Sequence, residues 1–512
     1  MKRLEILDTT LRDGEQTSGV SFSVGEKLNI AKLLLQELKV DRLEVASARV
    51  SEGEFDGARK IIEWAKSHGM VKKVEILGFV DDGISIDWIT SAGGKVMNLL
   101  AKGSKKHCER QLRKTAEEHL EDILHNIKAA HENGLEVNVY LEDWSNGMKE
   151  SPEYVYALVE GLKNSQIKRI MLPDTLGILN HELTGKFCKE MITRFPDVHF
   201  DFHAHNDYDL SVANAYEAIK AGVHGIHTTL NGLGERAGNV PLSSVLGIIS
   251  DHLGMKVNLD ESKLYKVSKV VETFSGIRIP QNKPLIGEYV FTQTSGIHAD
   301  GDSKDKLYQT VLEPTRFGRN YSYALGKLSG KSNIQKNLEE LGIHLSKEDM
   351  KKVTSRIIEL GDKKESITQE DLPYIINDVL GNNSVEESSV EILNYALSVA
   401  KGLKSTATVS VAIEGIVQEQ TASGDGQYDA FMNALTEIYK RLGRSFPRLI
   451  DYEVHIPPGG NTDALVVTTI TWDQDGHIFK TKGLDSDQAV AAIKSTTRML
   501  NIIERKETVH EF

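Results

Sequence analysis

Two histidines stand two residues apart in HFDFHAHND, His199 to Asp207. Residues alternate through the run, with Phe200 and Phe202 on one side and Asp201, His203 and His205 on the other. A period of two is that of a β-strand, on which His203 and His205 point the same way. Neutral imidazoles on one face suit several divalent transition ions. Pairs of this kind also occur as polar strand-end histidines, so a metal role depends on what the rest of the chain brings alongside. Asp13, in LRDGEQ, offers a third ligand-type side chain. Three protein ligands with open positions are the arrangement of catalytic metal sites, not of closed structural ones. The open positions can take a carbonyl and a carboxylate from one substrate, and the ion then polarises the carbonyl. Arg12, next to Asp13, can stabilise a developing oxyanion. Glu142 is a spare carboxylate suited to proton transfer, and a salt bridge with Arg12 can hold at the same time. GLGERAGN, Gly232 to Asn239, offers backbone N–H groups and Asn239 beside the metal; its glycines serve equally well as turn residues.

Gathering residues from such distant positions requires a fold that brings several strand ends together. The first half alternates strand-like and helical patterns. The strand runs are Leu4–Asp8, Arg42–Ala46, Val74–Val80, Val96–Ala101, Val137–Leu141, Arg169–Pro173, Phe200–His205 and Gly225–Leu230. Between them, Leu120, Ile123, Leu124 and Ile127 keep helical spacing behind a capping box, Thr115 to Glu118. Val155, Leu158, Val159 and Leu162 do so after Ser151-Pro152, an N-cap followed by proline in the first turn. About eight β-then-α units with near-continuous apolar strands predict an α/β fold, a (β/α)8 barrel. A doubly wound sheet would need a Gly-rich phosphate turn after an early strand, and none is present. Barrel chemistry sits at the C-terminal strand ends, where polar residues collect: Thr10, Arg12, Asp13, Glu15 and Gln16; Ser47 and Arg49; Glu142 and Asp143; Asp174 and Thr175; His203 and His205; Asn231, Glu235, Arg236 and Asn239.

The alternation stops near Val270. The expected domains are therefore a catalytic barrel over 1–270, a linker and arm over 271–385, and a C-terminal domain over 386–512. The middle part begins as an extended arm, continues as helices from Lys331 to Leu380 and ends in the polar stretch GNNSVEESS. The last part carries a weak repeat. The run from Val409 lines up with that from Val467, and each reads strand, strand, helix, a duplicated β-β-α unit of an α+β domain. Glycine-rich approaches to each helix, SGDGQYD from Ser423 and KGLDSDQ from Lys482, can aim N–H groups at an anion such as an amino-acid carboxylate. Tyr428, Leu449, Tyr452 and Ile456 would wall its side chain.

The net charge of −13 over 512 residues argues against nucleic acid or an anionic membrane as partner. Two cysteines exclude a disulfide framework and fit a reduced, cytoplasmic protein. The N-terminus shows no apolar signal core, and no apolar run approaches the roughly 18 residues of a membrane span.

LRDGEQ with Lys27 beyond it, HxHND and GxGERAGN, in this order, resemble the 2-isopropylmalate, homocitrate and citramalate synthase family over nearly the whole chain. The resemblance implies a metal-dependent (β/α)8 barrel (Zn, Mn or Mg), a linker, and a C-terminal regulatory dimer domain. It implies a Claisen condensation in which acetyl-CoA is enolised, attacks a 2-oxo acid, and is hydrolysed to release CoA. It assigns the metal to Asp13, His203 and His205, the oxyanion to Arg12, the 2-oxo acid carboxylate to Thr175, and base roles to Glu142 and His298. The arm, with His298, Asp300 and Tyr308, is expected to complete the site of a partner subunit in a homodimer. The common pattern HNDxGxAxAN reads HNDYDLSVAN here, with Asp209 at the usual Gly. With ASARVSEGE, NVYLEDWSNG and DYEVHIPPGGNTDAL, this resembles the branch that condenses pyruvate, in which Leu77, Leu100 and Tyr140 wall the acceptor pocket. That branch leads to isoleucine, the inhibitor the resemblance implies. The alternative is 2-oxoisovalerate as acceptor, with leucine as inhibitor.

Overall fold

The computed structural model describes residues 3–255, 257–293, 301, 307–326, 330–340, 343–362, 367, 372–380, 390–455, 466–485 and 487–508. The chain forms two compact units. The first runs to Gln293 and takes in a segment ending at Ser322; the second begins at Tyr323.

Eight parallel strands close the barrel of the first unit: β1 (Glu5–Asp8), β2 (Arg42–Ser47), β3 (Val74–Phe79), β4 (Val96–Lys102), β5 (Glu136–Glu142), β6 (Ile170–Asp174), β7 (Phe200–Ala204) and β8 (Gly225–Thr228). β1 pairs with β8 in register from Glu5 against Gly225 to Asp8 against Thr228, which closes the circle. The outward faces of the strands are buried against the helices, so the strands read as apolar runs. Trp144, for example, meets Phe202 and Phe187 edge-on. The helix Ala116–Glu132 starts as expected, with Thr115 and Glu118 exchanging both capping hydrogen bonds. The helix Pro152–Leu162 does not: Ser151 makes no side-chain cap, and its hydroxyl donates to the Gly147 carbonyl of the preceding short helix. Proline at the first position already removes one orphan N–H, which lessens the need for the cap.

The barrel interior is unusually polar at its N-terminal end. Arg42 is ion-paired with Asp201, with Glu75 at 3.2 Å and with Glu5 at 3.1 Å; Arg169 joins Glu5 at 3.1 Å. One carboxylate or guanidinium without a counter-charge would be costly at this depth, and the ring of alternating charges gives each an opposite neighbour.

In the second unit three helices, Lys331–Glu340, Lys347–Asp362 and Leu372–Leu380, share a small core around Ile334, Val353 and Ile357. The C-terminal part contains the two repeated units, each enlarged by one strand. β9 (Val390–Ser398), β10 (Ser405–Ile413) and β11 (Ile416–Gly424) form one antiparallel sheet before the helix Gln427–Arg441. β12 (Arg448–His455), β13 (Val466–Gln474) and β14 (His477–Asp485) form the other before Gln488–Thr508. The extra strand β9 is mostly exposed, so it lacks the half-buried alternation that reveals β10. Both units share one core, with Val409, Phe431, Trp472 and Leu500 in it.

Candidate active site at the barrel mouth

β1 leads into a tight loop in which the N–H groups of Arg12, Asp13 and Gly14 all donate to the Thr9 carbonyl. This turn aims Arg12 and Asp13 inward. β7 delivers His203, and His205 follows one residue past its end, bridged to Asn239. The ligand atoms of Asp13, His203 and His205 all lie within 4.8 Å of one another, and all three residues are buried. His203 Nε2 is 3.5 Å and His205 Nε2 3.9 Å from Asp13 Oδ2. Ligand atoms around one ion with bonds of about 2.1 Å stand roughly 3 to 3.5 Å apart, so this spacing suits an ion between them. His203 Nδ1, His205 Nδ1 and Asn239 Oδ1 are buried with no hydrogen-bond partner among the described residues. The Asn239 amide donates to Asp13 Oδ1 at 2.9 Å, which leaves its own oxygen free as a further donor atom. The donor set therefore fits a divalent ion.

Burial alone would raise the Asp13 pKa, but Arg12, His203, His205 and the Asn239 amide outweigh it and hold the carboxyl well below the usual range. Burial pushes both imidazoles down, against the pull of Asp13. An ionised carboxylate beside two neutral imidazoles is the protonation state a metal requires.

Arg12 lies between Asp13 (Nη1 to Oδ2, 2.8 Å) and Glu44 (Nε to Oε2, 2.6 Å), with its guanidinium 5.8 Å from the centre of the Tyr140 ring. The Arg12–Glu142 salt bridge weighed in the sequence is not formed; Glu142 pairs with Lys102 on the neighbouring strand. Glu44 is the residue that sequence reasoning missed. It also accepts from Thr9 Oγ1 at 2.7 Å and Asn98 Nδ2 at 2.7 Å, so it fixes both Arg12 and the loop that carries Asp13. The signal was present: period two in RLEVAS puts Arg42 and Glu44 on one face.

Tyr140, edge-on to His203 at 6.1 Å, packs with Leu77, Leu7 and Met171, and Leu100 lies against them. The three expected wall residues thus meet, with two unforeseen neighbours. Thr175 accepts the Asp143 N–H at 2.9 Å, which leaves its hydroxyl proton to point elsewhere. Its carbonyl accepts from Arg236, itself in a two-pronged pair with Asp207 at 2.7 and 3.0 Å. Asp209 has φ of 58°, the left-handed region that glycine adopts freely and aspartate tolerates. The Gly-to-Asp departure therefore keeps the turn. Tyr308 is exposed. His298, Asp300 and Ile456 lie outside the described residues. In the C-terminal part Tyr428 and Tyr452 rings stand 5.4 Å apart, while Leu449 is exposed. The first-turn N–H groups imagined for an anion are partly occupied: Asp487 accepts from Ala489 and Val490, and Asp429 accepts from Asp425.

A closed (β/α)8 barrel with a buried carboxylate–imidazole–imidazole cluster at its strand ends defines the class, a barrel enzyme built around a candidate metal centre. The chain belongs to the HMGL-like family, which matches residues 3–271, and within it to the acetyl-CoA-dependent condensing synthases. A homocitrate synthase post-HMGL domain-like region matches residues 285–365 and the LeuA allosteric (dimerisation) domain residues 366–504. The (R)-citramalate synthase of Methanocaldococcus jannaschii is 32% identical over 98% of this chain and 99% of its own. The 2-isopropylmalate synthase of the same organism is 31% identical over 98% of this chain and 95% of its own. That of Pyrococcus furiosus is 31% identical over 98% and 100%. Identity therefore does not separate the two acceptors. Among the described residues no helix is long and apolar enough to cross a membrane.

Proposed function

We propose that this chain condenses acetyl-CoA with pyruvate and water to give citramalate and CoA. What supports the reading is that Leu77, Leu100 and Tyr140, the walls expected from the resemblance to the pyruvate-condensing branch, meet in one apolar cluster with Leu7 and Met171, with the Tyr140 ring edge-on to His203. The 2-isopropylmalate reading rests on relatives of that name at equal identity.

A divalent ion held by Asp13, His203 and His205, with Asn239 beside it, supplies Lewis-acid polarisation of the acceptor's ketone when bound. Thr175 donates its hydroxyl proton to the acceptor's carboxylate. Glu142 or His298 takes a proton from the acetyl methyl group. The new carbon–carbon bond joins that methyl carbon to the ketone carbon, Arg12 donates a hydrogen bond to the oxygen that becomes negative, and that oxygen takes up the proton removed from the methyl group to become the hydroxyl of the product. Water then cleaves the thioester, giving a carboxylate and the CoA thiol. We assign catalysis to 1–270, the linker and arm to 271–385 and regulation to 386–512. The LeuA-type region supports a homodimer, and isoleucine as inhibitor follows only from pyruvate as the acceptor. Two buried, unpaired cysteines, Cys108 and Cys188, support a reducing, cytoplasmic setting. The test is product identification by NMR after incubation with acetyl-CoA labelled at the methyl carbon and each 2-oxo acid in turn. Citramalate from pyruvate supports the reading; no condensation product from pyruvate overturns it.

A further inference from the structure

Three rings stand together inside the barrel, one of them the metal candidate His203. Tyr140, His203 and His227 have centroids 5.5 to 6.1 Å apart, each meeting the others nearly edge-on. All are buried. His227, on β8, has drawn no role so far. Its Nε2 is 3.3 Å from Asp201 Oδ2, and its Nδ1 is 3.0 Å from the Tyr140 hydroxyl. Asp201 is itself fixed: Arg42 pairs with it, His199 Nε2 reaches its other oxygen at 3.0 Å, and Arg169 lies 3.8 Å away. A carboxylate between two guanidinium groups only accepts, so in the neutral His227 ring the proton belongs on Nε2. Its Nδ1 is then an acceptor, and the Tyr140 O–H must donate to it. The line Asp201–His227–Tyr140 therefore runs in one direction from the polar floor of the barrel to the apolar wall.

We propose that His227 is a specificity-determining positioning residue: it takes the hydrogen bond of Tyr140 and so holds that ring as a fixed wall of the acceptor pocket. The role rests on the condensing function proposed above. Tyr140 is the one wall residue with a polar handle, and a ring anchored at its hydroxyl cannot swing aside for a larger acceptor. The Leu7, Leu77 and Met171 side chains around it have no such anchor. Without the acceptor, the hydroxyl is a buried donor that must find water or another partner, and the ring moves with it.

The test uses the full-length, metal-loaded chain and the ratio of kcat/KM between two 2-oxo acids differing by one methyl group, pyruvate and 2-oxobutyrate. If the unsubstituted chain favours a different pair, that pair is used, so a wrong acceptor shows in the unsubstituted chain and a wrong role for His227 only in the variants. One methyl group supports discrimination of tenfold or more. His227→Leu should lower the ratio at least several-fold, and His227→Gln, which keeps an acceptor, should retain most of it. Tyr140→Phe keeps the volume and removes the donated proton, and it should lower the ratio by itself. In the Tyr140→Phe background, adding His227→Leu should change the ratio no further. An unchanged ratio in Tyr140→Phe, or equal falls from His227→Leu in both backgrounds, overturns the proposal. If His227→Leu does not fold, the Tyr140→Phe and His227→Gln ratios still decide it.

Discussion

Replacing Glu44 by Gln tests the least visible part of the site. Glu44 is fully buried and accepts three hydrogen bonds: from Arg12 and Thr9 on Oε2 and from Asn98 on Oε1. An amide of the same shape supplies one oxygen and one donor, so at least one of these three donors faces an N–H. Asn98 cannot turn over freely to help, because its own oxygen accepts from Asn138 at 2.7 Å. Breaking a buried charge pair from one side costs roughly 3–5 kcal/mol. Arg12 keeps Asp13, so the lower end, about 3 kcal/mol, is expected. At roughly 2–4 °C per kcal/mol for a domain of this size, the barrel's melting transition should fall by about 6–12 °C. Arg12 should also lose its alignment on the developing oxyanion, a fault that costs roughly 10² in kcat when such a donor is lost. Steady-state thiol release at saturating substrates and calorimetry on the same preparation measure both. A lower melting point with unchanged kcat would refute the claim that Glu44 positions Arg12, and leave it a strut only.

Three further outcomes are expected. Asp13→Ala or His203→Ala should abolish condensation and lower bound metal, measured by elemental analysis after dialysis, while circular dichroism stays that of a folded chain; full activity in both would remove the assignment. Asp8 is buried with one unpartnered oxygen, and burial raises its pKa to about 7. Because the folded-state value lies above the unfolded one, its stabilising contribution is full below pH about 4 and is lost as pH rises through about 7; Asp8→Asn should flatten that loss in melting curves, and parallel curves would refute it. Isoleucine should inhibit the intact chain and fail to inhibit an active chain ending near Ser384; an intact chain that ignores isoleucine refutes the regulatory assignment.

Much of this architecture is legible in the sequence because parallel strands buried on their outer faces are apolar and evenly spaced. The cluster is legible for a related reason: His203 and His205 sit two apart on one strand, and strand ends converge in any closed barrel. What escapes is long-range. Glu44 meets Arg12 across 32 positions and Arg42 meets Asp201 across 159, pairs that exist only once the barrel closes. One expectation fails, and one is exceeded, for local reasons. Ser151 has the right residue type for a cap, yet the helix end before it offers its hydroxyl a carbonyl, Gly147. Strands β9 and β12 each extend a hairpin already evident from pattern, and β9 in particular is too exposed to show a period of its own.

The proposed acceptor at the barrel mouth is pyruvate. The most direct measurement is CoA-thiol release by the intact, metal-loaded chain with acetyl-CoA and either pyruvate or 2-oxoisovalerate, expressed as kcat/KM. Two methyl groups at tenfold or more each predict a preference for pyruvate of roughly a hundredfold or greater. Turnover of 2-oxoisovalerate as efficient as that of pyruvate, or better, would contradict it.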